Sequence, residues 1–471
     1  MKLEVERRGI EYIPPADRHG RPSSLFTVWF ATNVQITTVA TGVIAVALGL
    51  DLTWAIITIL IGNLVGGLFM AYHSAQGPRL GIPQMIQSRA QFGMFGAILP
   101  LILVILLYLG FFTTSAVLGG EAMAKLLHVS SVWGIVLVDA LTLLMAWVGY
   151  DLIHRYDRVV SLLFAVIFIA LTVKLAGSLP AHSHATGITP GNVLLAISIF
   201  ATWQITWAPY VSDYSRYLPE DTPTGRTFWY TYLGSALGAS WMMILGAMAG
   251  VVAANAALAN ITDYLSGLFG GIVWLVLITF ILGILAANVM NLYGAFMTAT
   301  TSITPSGRLA RGWQARVACT TMACVIGTGL AIAARGNFVA SLTNFLLFLL
   351  YFLVPWTAIN LTDFYLVRRG HYAIDDIFRT DGVYGAVNWK TLAIYILTIL
   401  VEIPFVNTTL YVGPIARFLG GADIAWIIGL IVASVVYYVW VGRPIMRASG
   451  YSLSDGRPDR SGRYDKTPGT V

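Results

Sequence analysis

The sequence predicts an all-α integral membrane protein with twelve transmembrane helices, and three observations support this prediction. Of the 471 residues, 57% are hydrophobic and only 11% are charged, and the mean hydropathy is +0.75. Soluble domains do not have this composition. The apolar residues fall in runs of about 20 residues, the length of helix that crosses the hydrocarbon core of a bilayer. Lys and Arg are concentrated in every second connection between these runs.

Twelve apolar spans lie between two polar tails, which cover residues 1–23 and 443–471. We group spans one to five as a first repeat, 24–179, and spans six to ten as a second repeat, 190–366, followed by helices eleven and twelve in 391–442. The predicted spans are 24–50, 53–74, 94–119, 131–150, 159–179, 190–211, 227–254, 269–298, 317–334, 338–366, 391–411 and 423–442.

The basic residues predict the orientation. With twelve spans, 24 of the 28 Lys and Arg fall on the side of the two tails, and the exceptions are Lys125, Lys174, Arg335 and Arg417. Cytoplasmic loops are enriched in Lys and Arg, so we expect both termini in the cytoplasm and the chain in the plasma (cytoplasmic, inner) membrane. The two cysteines lie in one apolar run, which indicates neither a disulfide framework nor a metal site.

The first span, Ser24–Leu50, carries no charge but has a polar middle. Lipid cannot satisfy such groups, so they should face protein, water or a ligand, as they do in the broken helices that line transport sites. The alternative is that the threonines bond to their own helix and the amides to neighbouring helices. The polar residues are Thr32, Asn33, Gln35, Thr37, Thr38 and Thr41.

The sixth span repeats this pattern around Trp203 and Gln204, and Pro209 removes one helical hydrogen bond near its end. Interrupted spans at matching positions of two halves point to a transport site. Spans one and six would then begin two five-span repeats.

Two further spans carry candidate binding groups. Asn288 and Asn291 share a helix face in span eight, and amide pairs can match the mixed donor and acceptor edge of a nucleobase. The alternative is that both asparagines hold helices together. In span three, Tyr108, Phe111 and Phe112 form an aromatic stripe, which is either core or a stacking platform opposite Trp203.

Two carboxylates, Asp139 and Glu402, lie inside predicted spans, where an unpaired charge is costly. Asp139 and Lys174 lie at similar depths, which suggests a buried ion pair. We also consider Asp139 and Glu402 as candidates for a proton carrier.

Five blocks resemble the nucleobase:cation symporter-1 family, in its purine–cytosine permease branch. They are RRGIEYIPPADRHGRP, GPRLGIPQMIQSRAQFG, WAPYVSDYSRYLP, NVMNLYG and NLTDFYLVRRG. The resemblance implies a leucine-transporter-type inverted repeat of five plus five helices with broken helices 1 and 6, plus two extra helices. It also implies alternation between outward-open and inward-open states, driven by a cation gradient.

The resemblance also implies positions for the site. The base-binding positions of the family correspond to Gln35, Tyr108, Phe112, Trp203 or, allowing one gap, Gln204, and Asn291 with Asn288 beside it. The family's sodium-coupled members use backbone carbonyls at positions that are here Ala31, Val34 and Gly283. They also use two hydroxyls where this chain has Ala286 and Ala287, so we expect coupling to H⁺ rather than Na⁺ and no other cofactor.

These features predict a secondary transporter that imports cytosine or a purine. The alternative is a sodium- or proton-coupled carrier of another flat heterocycle, such as uracil, allantoin, a hydantoin or a thiamine precursor. A membrane enzyme would need a constellation of His, Cys or carboxylates at one depth, which the sequence does not show. We expect the base and the lipid bilayer as partners, no nucleic acid, and a protein that functions as a monomer.

Overall fold

A computed structural model describes residues 11–148, 151–180, 187–303 and 313–448, without the side chains of 148–162 and 301–303. The described chain is organised as α-helices joined by turns and short 3₁₀ and π segments. The principal helices are α1 Ser24–Asn33, α2 Ile36–Ala47, α3 Leu52–Ser74, α4 Ile98–Leu127, α5 Ser131–Val148, α6 Asp151–Ala176, α7 Pro190–Ile205, α8 Val211–Ser215, α9 Thr224–Val252, α10 Ala254–Ala259, α11 Ile261–Gly267, α12 Val273–Ile303, α13 Trp313–Ala334, α14 Phe338–Leu361, α15 Trp389–Glu402 and α16 Ala425–Tyr437.

Six helical segments of the described chain are long and apolar enough to cross a membrane, and the bent pair α1–α2 raises this number to seven. Three further apolar helices, within 131–147, 163–176 and 190–205, are shorter than this criterion requires. The count of twelve spans therefore stays a prediction.

Helix ends depart from the predicted spans where local chemistry differs from hydropathy. Span three was predicted as 94–119, but α4 continues to Leu127 because Gly119 and Gly120 pack against neighbouring helices instead of ending it. Span eleven was predicted to reach residue 411, but α15 ends at Glu402, just before Pro404. A proline lacks the backbone N–H that continues a helix.

The helices pack in two groups that do not follow chain order. In one group, α1, α2, α3, α7 and α9 pack against one another, and α4, α5, α6, α12 and α13 form the other. In the first group, Gly42 of α2 lies against the backbone of Met243, and Gly246 of α9 lies against the carbonyl of Val39. Any side chain larger than hydrogen would collide there, so these glycines let two backbones approach closely.

The two ends of the bundle differ. At one end, which we call the basic end, residues 75–93 form three one-turn helices that are mostly buried against residues 211–216 and 360–378. The predicted N-terminal tail also packs here, since Ile13 is buried and Arg18 Nη1 donates to Pro78 O over 2.5 Å. Most of the predicted C-terminal tail, from residue 449, lies outside the described residues.

At the opposite end, which we call the lid end, α10 and α11 (residues 254–267) form a lid over the helices. The lid packs on α2, α4, α9 and α12, which belong to both groups. A movement of one group against the other would therefore change the contacts of the lid.

Candidate functional site

The first crossing is broken at Val34 and Gln35. Gln35 adopts an extended backbone (φ −151°, ψ 159°), which ends α1 and starts α2 at a bend of 61°. The Nε2 amide of Gln35 donates to the carbonyl of Thr32 over 3.1 Å. The amide keeps its carbonyl oxygen and a second N–H for another partner. The predicted interruption of span one is therefore present.

The sixth crossing is also interrupted. Helix α7 ends at Ile205, residues 206–210 form turns, and α8 begins at Val211. Within the turns the Ala208 N–H donates to the carbonyl of Ile205 over 3.0 Å, and Pro209 contributes no N–H. Both interruptions predicted from the polar centres of the spans are thus found, and they bring irregular backbone to the middle of the first helix group.

A buried hydrogen-bond network joins the two breaks. Trp203 Nε1 donates to Asn33 Oδ1 (2.7 Å), and Asn33 Nδ2 donates to Ser235 Oγ (3.0 Å). Ser235 Oγ donates to Gln204 Oε1 (2.6 Å), and Gln204 Nε2 donates to Asn63 Oδ1 (2.8 Å). Gln204 has no solvent exposure and its amide is bonded to protein at both ends. In this structure Gln204 supports the break beside Trp203, whereas the sequence had placed it on the base.

Aromatic rings form a continuous group around this network. Phe111 lies edge-on to Trp203, with ring centroids 5.6 Å apart and an interplanar angle of 89°. Trp207 lies 6.3 Å from Trp203 and 5.6 Å from Tyr210, and Tyr210 lies 5.3 Å from Tyr108. Tyr108 and Trp203, both predicted as stacking residues, therefore belong to one aromatic group that the two helix groups share.

Tyr108 of α4 packs on the face of α12 that carries Asn291. The Tyr108 ring packs on Gly294, where an added Cβ would lie 2.5 Å from Tyr108 Cζ. Residues three apart on a helix share a face, so Asn291 lies on the same face as Gly294. Asn291 is partly exposed, and its Nδ2 donates to Asn288 Oδ1 over 3.3 Å. Its carbonyl oxygen and second N–H remain for a ligand.

Phe112 is placed differently from the sequence prediction. It is 1% exposed and packs among Val289, Leu292 and Cys324, with its ring against Gly327. Neighbouring residues point about 100° apart on a helix, so Phe111 and Phe112 face different helices. Of the three aromatic residues in the stripe, it is Phe111 that contacts Trp203, whereas Phe112, which the resemblance implied as a base-binding position, lies in the core. The stripe included Phe111, but helix rotation could not be read from one sequence.

Asn288 supports the helices around this face. It has no solvent exposure, and its Nδ2 donates to the carbonyl of Phe112 over 3.2 Å. The two asparagines therefore share a face, as predicted, with Asn288 oriented by α4 and Asn291 facing outward from the pair.

The residues at which the resemblance implied a cation site make separate contacts in the structure. The carbonyl of Ala31 accepts the N–H of Val34 over 3.0 Å. Gly283 lies against the ring of Phe164, and Ala286 and Ala287 are partly exposed. Alanine offers no side-chain oxygen, so the expectation of weak sodium binding stays a prediction.

The proposed ion pair between Asp139 and Lys174 is wrong. Thr328 Oγ1 donates to Asp139 Oδ2 over 2.7 Å, whereas Lys174 Nζ donates to the carbonyl of Leu268. Two residues at equal depth in the membrane can still contact different neighbours, because the rotation of each helix about its axis decides where a side chain points. Asp139 and Lys174 therefore have different partners. The other predicted proton carrier, Glu402, is 1% exposed and packs against Gly429 on α16.

The fold is that of known membrane transporters. It matches Mhp1, described as a nucleobase-cation-symport-1 family transporter in a closed conformation with bromovinylhydantoin bound, with a TM-score of 0.73 and 20% identity over 94% of this chain and 95% of that one. It also matches the inward-facing conformation of Mhp1 with a TM-score of 0.75 and 19% identity over 95% of this chain and 94% of that one. This likeness shows the fold of the chain.

The sequence places the chain in a family. Residues 12–429 match the family described as permease for cytosine/purines, uracil, thiamine, allantoin, and the chain belongs to that family. The protein is therefore a multi-pass membrane transporter and not an enzyme. It is 46% identical to a putative purine-cytosine permease, YxlA of Bacillus subtilis, over 95% of this chain and 98% of the relative. It is 27% identical to the purine-cytosine permease fcyB of Emericella nidulans over 93% of this chain and 88% of the relative.

Proposed function

We propose that the protein imports cytosine or a purine by alternating access, coupled to H⁺ rather than Na⁺. The observation that carries the proposal is the meeting of two broken crossings with an aromatic group and two amides, Gln35 and Asn291, that keep unused hydrogen-bonding atoms. Flat bases gain about 1–3 kcal/mol from stacking on each aromatic ring, and amides can read their edges. The names of the two purine-cytosine permeases support the same substrate class.

The proposed architecture is twelve spans, with spans one to five and six to ten as inverted repeats and two added helices. Both termini lie in the cytoplasm of the cell, so the basic end is internal and the lid end is external. Each packing group contains helices from both proposed repeats, and this supports such an arrangement. Binding shifts conformations only through differential affinity, so the base must make contacts that one state lacks.

A thermal-shift screen of the purified protein tests the substrate. The panel contains cytosine, adenine, hypoxanthine, uracil, allantoin and a hydantoin, each with and without sodium. A ligand that binds the folded state stabilises it by about 2.7 kcal/mol at 100 times its Kd. We expect cytosine or a purine to raise the melting temperature without sodium. Stabilisation by none of the bases would refute the proposed substrate class, and stabilisation only by another heterocycle would favour the alternative.

Uptake into proteoliposomes tests the coupling ion. An inward proton gradient should drive accumulation of the base above equilibrium in sodium-free buffer. A protonophore, which dissipates the gradient, should abolish this accumulation. Sodium-stimulated uptake that saturates at millimolar sodium would contradict proton coupling, because the chain would then contain a working sodium site.

A further inference from the structure

A small cavity lies at the lid end, between the lid, α2, α4 and the start of α14. Its wall includes Ala40, Val43, Leu118, Asn260 and Phe338, and Glu121 of α4 is its ionisable residue. The cavity has room for about one water molecule, so it is not a base-sized site. Glu121 lies in α4, a helix long and apolar enough to cross a membrane, and an ionisable residue in such a helix is costly and is by default a functional candidate.

Lys125, one helical turn after Glu121, ties α4 to the lid. Its Nζ lies 2.5 Å from Asp263 Oδ1 and donates to Asp263 O (3.0 Å) and to Ser266 Oγ (3.2 Å). An ammonium group has three hydrogens, and these contacts on α11 use all of them. The Glu121 carboxylate makes no hydrogen bond or ion pair with the described part of the chain, although Asp263 lies near enough to repel it.

The sequence spacing gives Lys125 a second possible partner. A glutamate four residues before a lysine on a helix is the favourable orientation for an ion pair. If the lid moves away, Asp263 and Ser266 leave with it, and the ammonium group becomes available to Glu121. When the lid returns, it takes the lysine back and leaves the carboxylate beside mostly apolar side chains, where a charge is costly unless paired.

We propose that Glu121 is a proton-binding site whose occupancy is linked to closure of the lid through the exchange of Lys125 between Glu121 and Asp263. The proposal rests on the alternating access of the proposed function, but not on the identity of the substrate or of the coupling ion. A proton that binds the closed state better than the open state shifts the population toward the closed state. Acidic medium on the lid side should therefore close the lid.

The groups that face Glu121 support this assignment. Along α4 the nearest charged group is Lys125, and from the lid it is Asp263; α2 contributes Ala40 and Val43, and α14 contributes Phe338 and Val339, all apolar. Arg335, before α14, donates instead to the carbonyl of Ile332. Asp51, just before α3, does not line the cavity and accepts the N–H of Trp54 over 2.8 Å, which makes it the control carboxylate.

Labelling of a cysteine beneath the lid tests the proposal. Val43 is 1% exposed and lines the cavity, so a Val43→Cys side chain should react with a membrane-impermeant maleimide added on the lid side only when the lid opens. The chain without this substitution, whose cysteines are Cys319 and Cys324, gives the background labelling. Vesicles contain no base. Because the thiolate is the species that reacts, the labelling rate at each pH is divided by that of the same cysteine in the unfolded protein. We expect this relative rate to be about threefold or more higher at about pH 8.5 than at about pH 5.5, since an unpaired carboxyl in apolar surroundings exchanges its proton in this range.

Three variants separate the linkage from general effects. Glu121→Gln imitates the protonated carboxyl and should make the relative labelling slow at both pH values, whereas Asp51→Asn should keep the pH dependence of Val43→Cys alone. Lys125→Met removes the tie and should make labelling fast at both pH values, which keeps the test valid if the glutamine variant folds poorly. The proposal would be overturned if Glu121→Gln showed the same pH dependence as Val43→Cys alone. It would also be overturned if the relative labelling of Val43→Cys alone did not change with pH. Failure of base uptake in the same vesicles would instead count against the proposed function.

Discussion

Replacing Asn291 by alanine tests the candidate site most directly. Asn291 uses one N–H for Asn288, and its carbonyl oxygen and second N–H can each bond to a base. The side chain of Asn291 is partly exposed, but Asn288 Oδ1, which accepts its N–H, is buried and loses that partner in the variant. The structure therefore predicts a loss of ligand affinity together with a smaller loss of stability.

The magnitude follows from those two hydrogen bonds. Each polar atom of the base that is buried without its partner costs about 1–3 kcal/mol. Two such atoms cost about 2–6 kcal/mol, and each 1.4 kcal/mol is a factor of ten, so Kd should rise between about 30-fold and 10⁴-fold. In the ligand-free protein, the lost bond to buried Asn288 should lower stability by about 1–3 kcal/mol.

The assay is a thermal shift with and without a saturating base, followed by uptake kinetics. We expect the ligand-free melting temperature of Asn291→Ala to fall moderately, as the lost bond to Asn288 requires, while the ligand-induced shift disappears. Asn344→Ala is the control: it removes a partly exposed asparagine whose Nδ2 donates to Thr409 Oγ1 over 2.5 Å at the lid end. An Asn291→Ala protein that binds and transports the base normally would refute the site.

Three further outcomes follow from the same structure. Asn33→Ala leaves Trp203 Nε1 buried without an acceptor, so stability should fall by about 1–3 kcal/mol and base affinity should fall with it; unchanged affinity would show that Asn33 does not position Trp203. Phe111→Ala should weaken base binding by about 1–3 kcal/mol, whereas Phe112→Ala should cost about 3–5 kcal/mol of stability with Kd unchanged; the reverse pattern would contradict the helix rotation observed here. Asp363→Asn removes a buried carboxylate that pairs with partly buried Arg368 and accepts two tyrosine hydroxyls, so the melting temperature should fall as expected for a loss of about 3–5 kcal/mol; an unaltered melting curve would argue against this network.

Local chemistry explains which features were visible in the sequence. The breaks at Gln35 and before Pro209 were predictable because polar groups in an apolar run, and a proline near its end, act on their own segment. Helices were predictable for the same reason, since lipid requires each segment to satisfy its own backbone. Span lengths were less accurate, as the extension of α4 past Gly119 shows, because whether a glycine ends a helix depends on what packs against it.

The sequence by itself thus determined a helical membrane protein with two polar interruptions, and it carried the motifs of a permease family. Only the tertiary structure decided which side chains meet. It turned Phe111 rather than Phe112 toward Trp203, bonded Gln204 to Asn63 and Ser235, and separated Asp139 from Lys174. The physical reason is that depth in the membrane follows from position along the chain, whereas rotation about each helix axis is set by the packing of neighbouring helices.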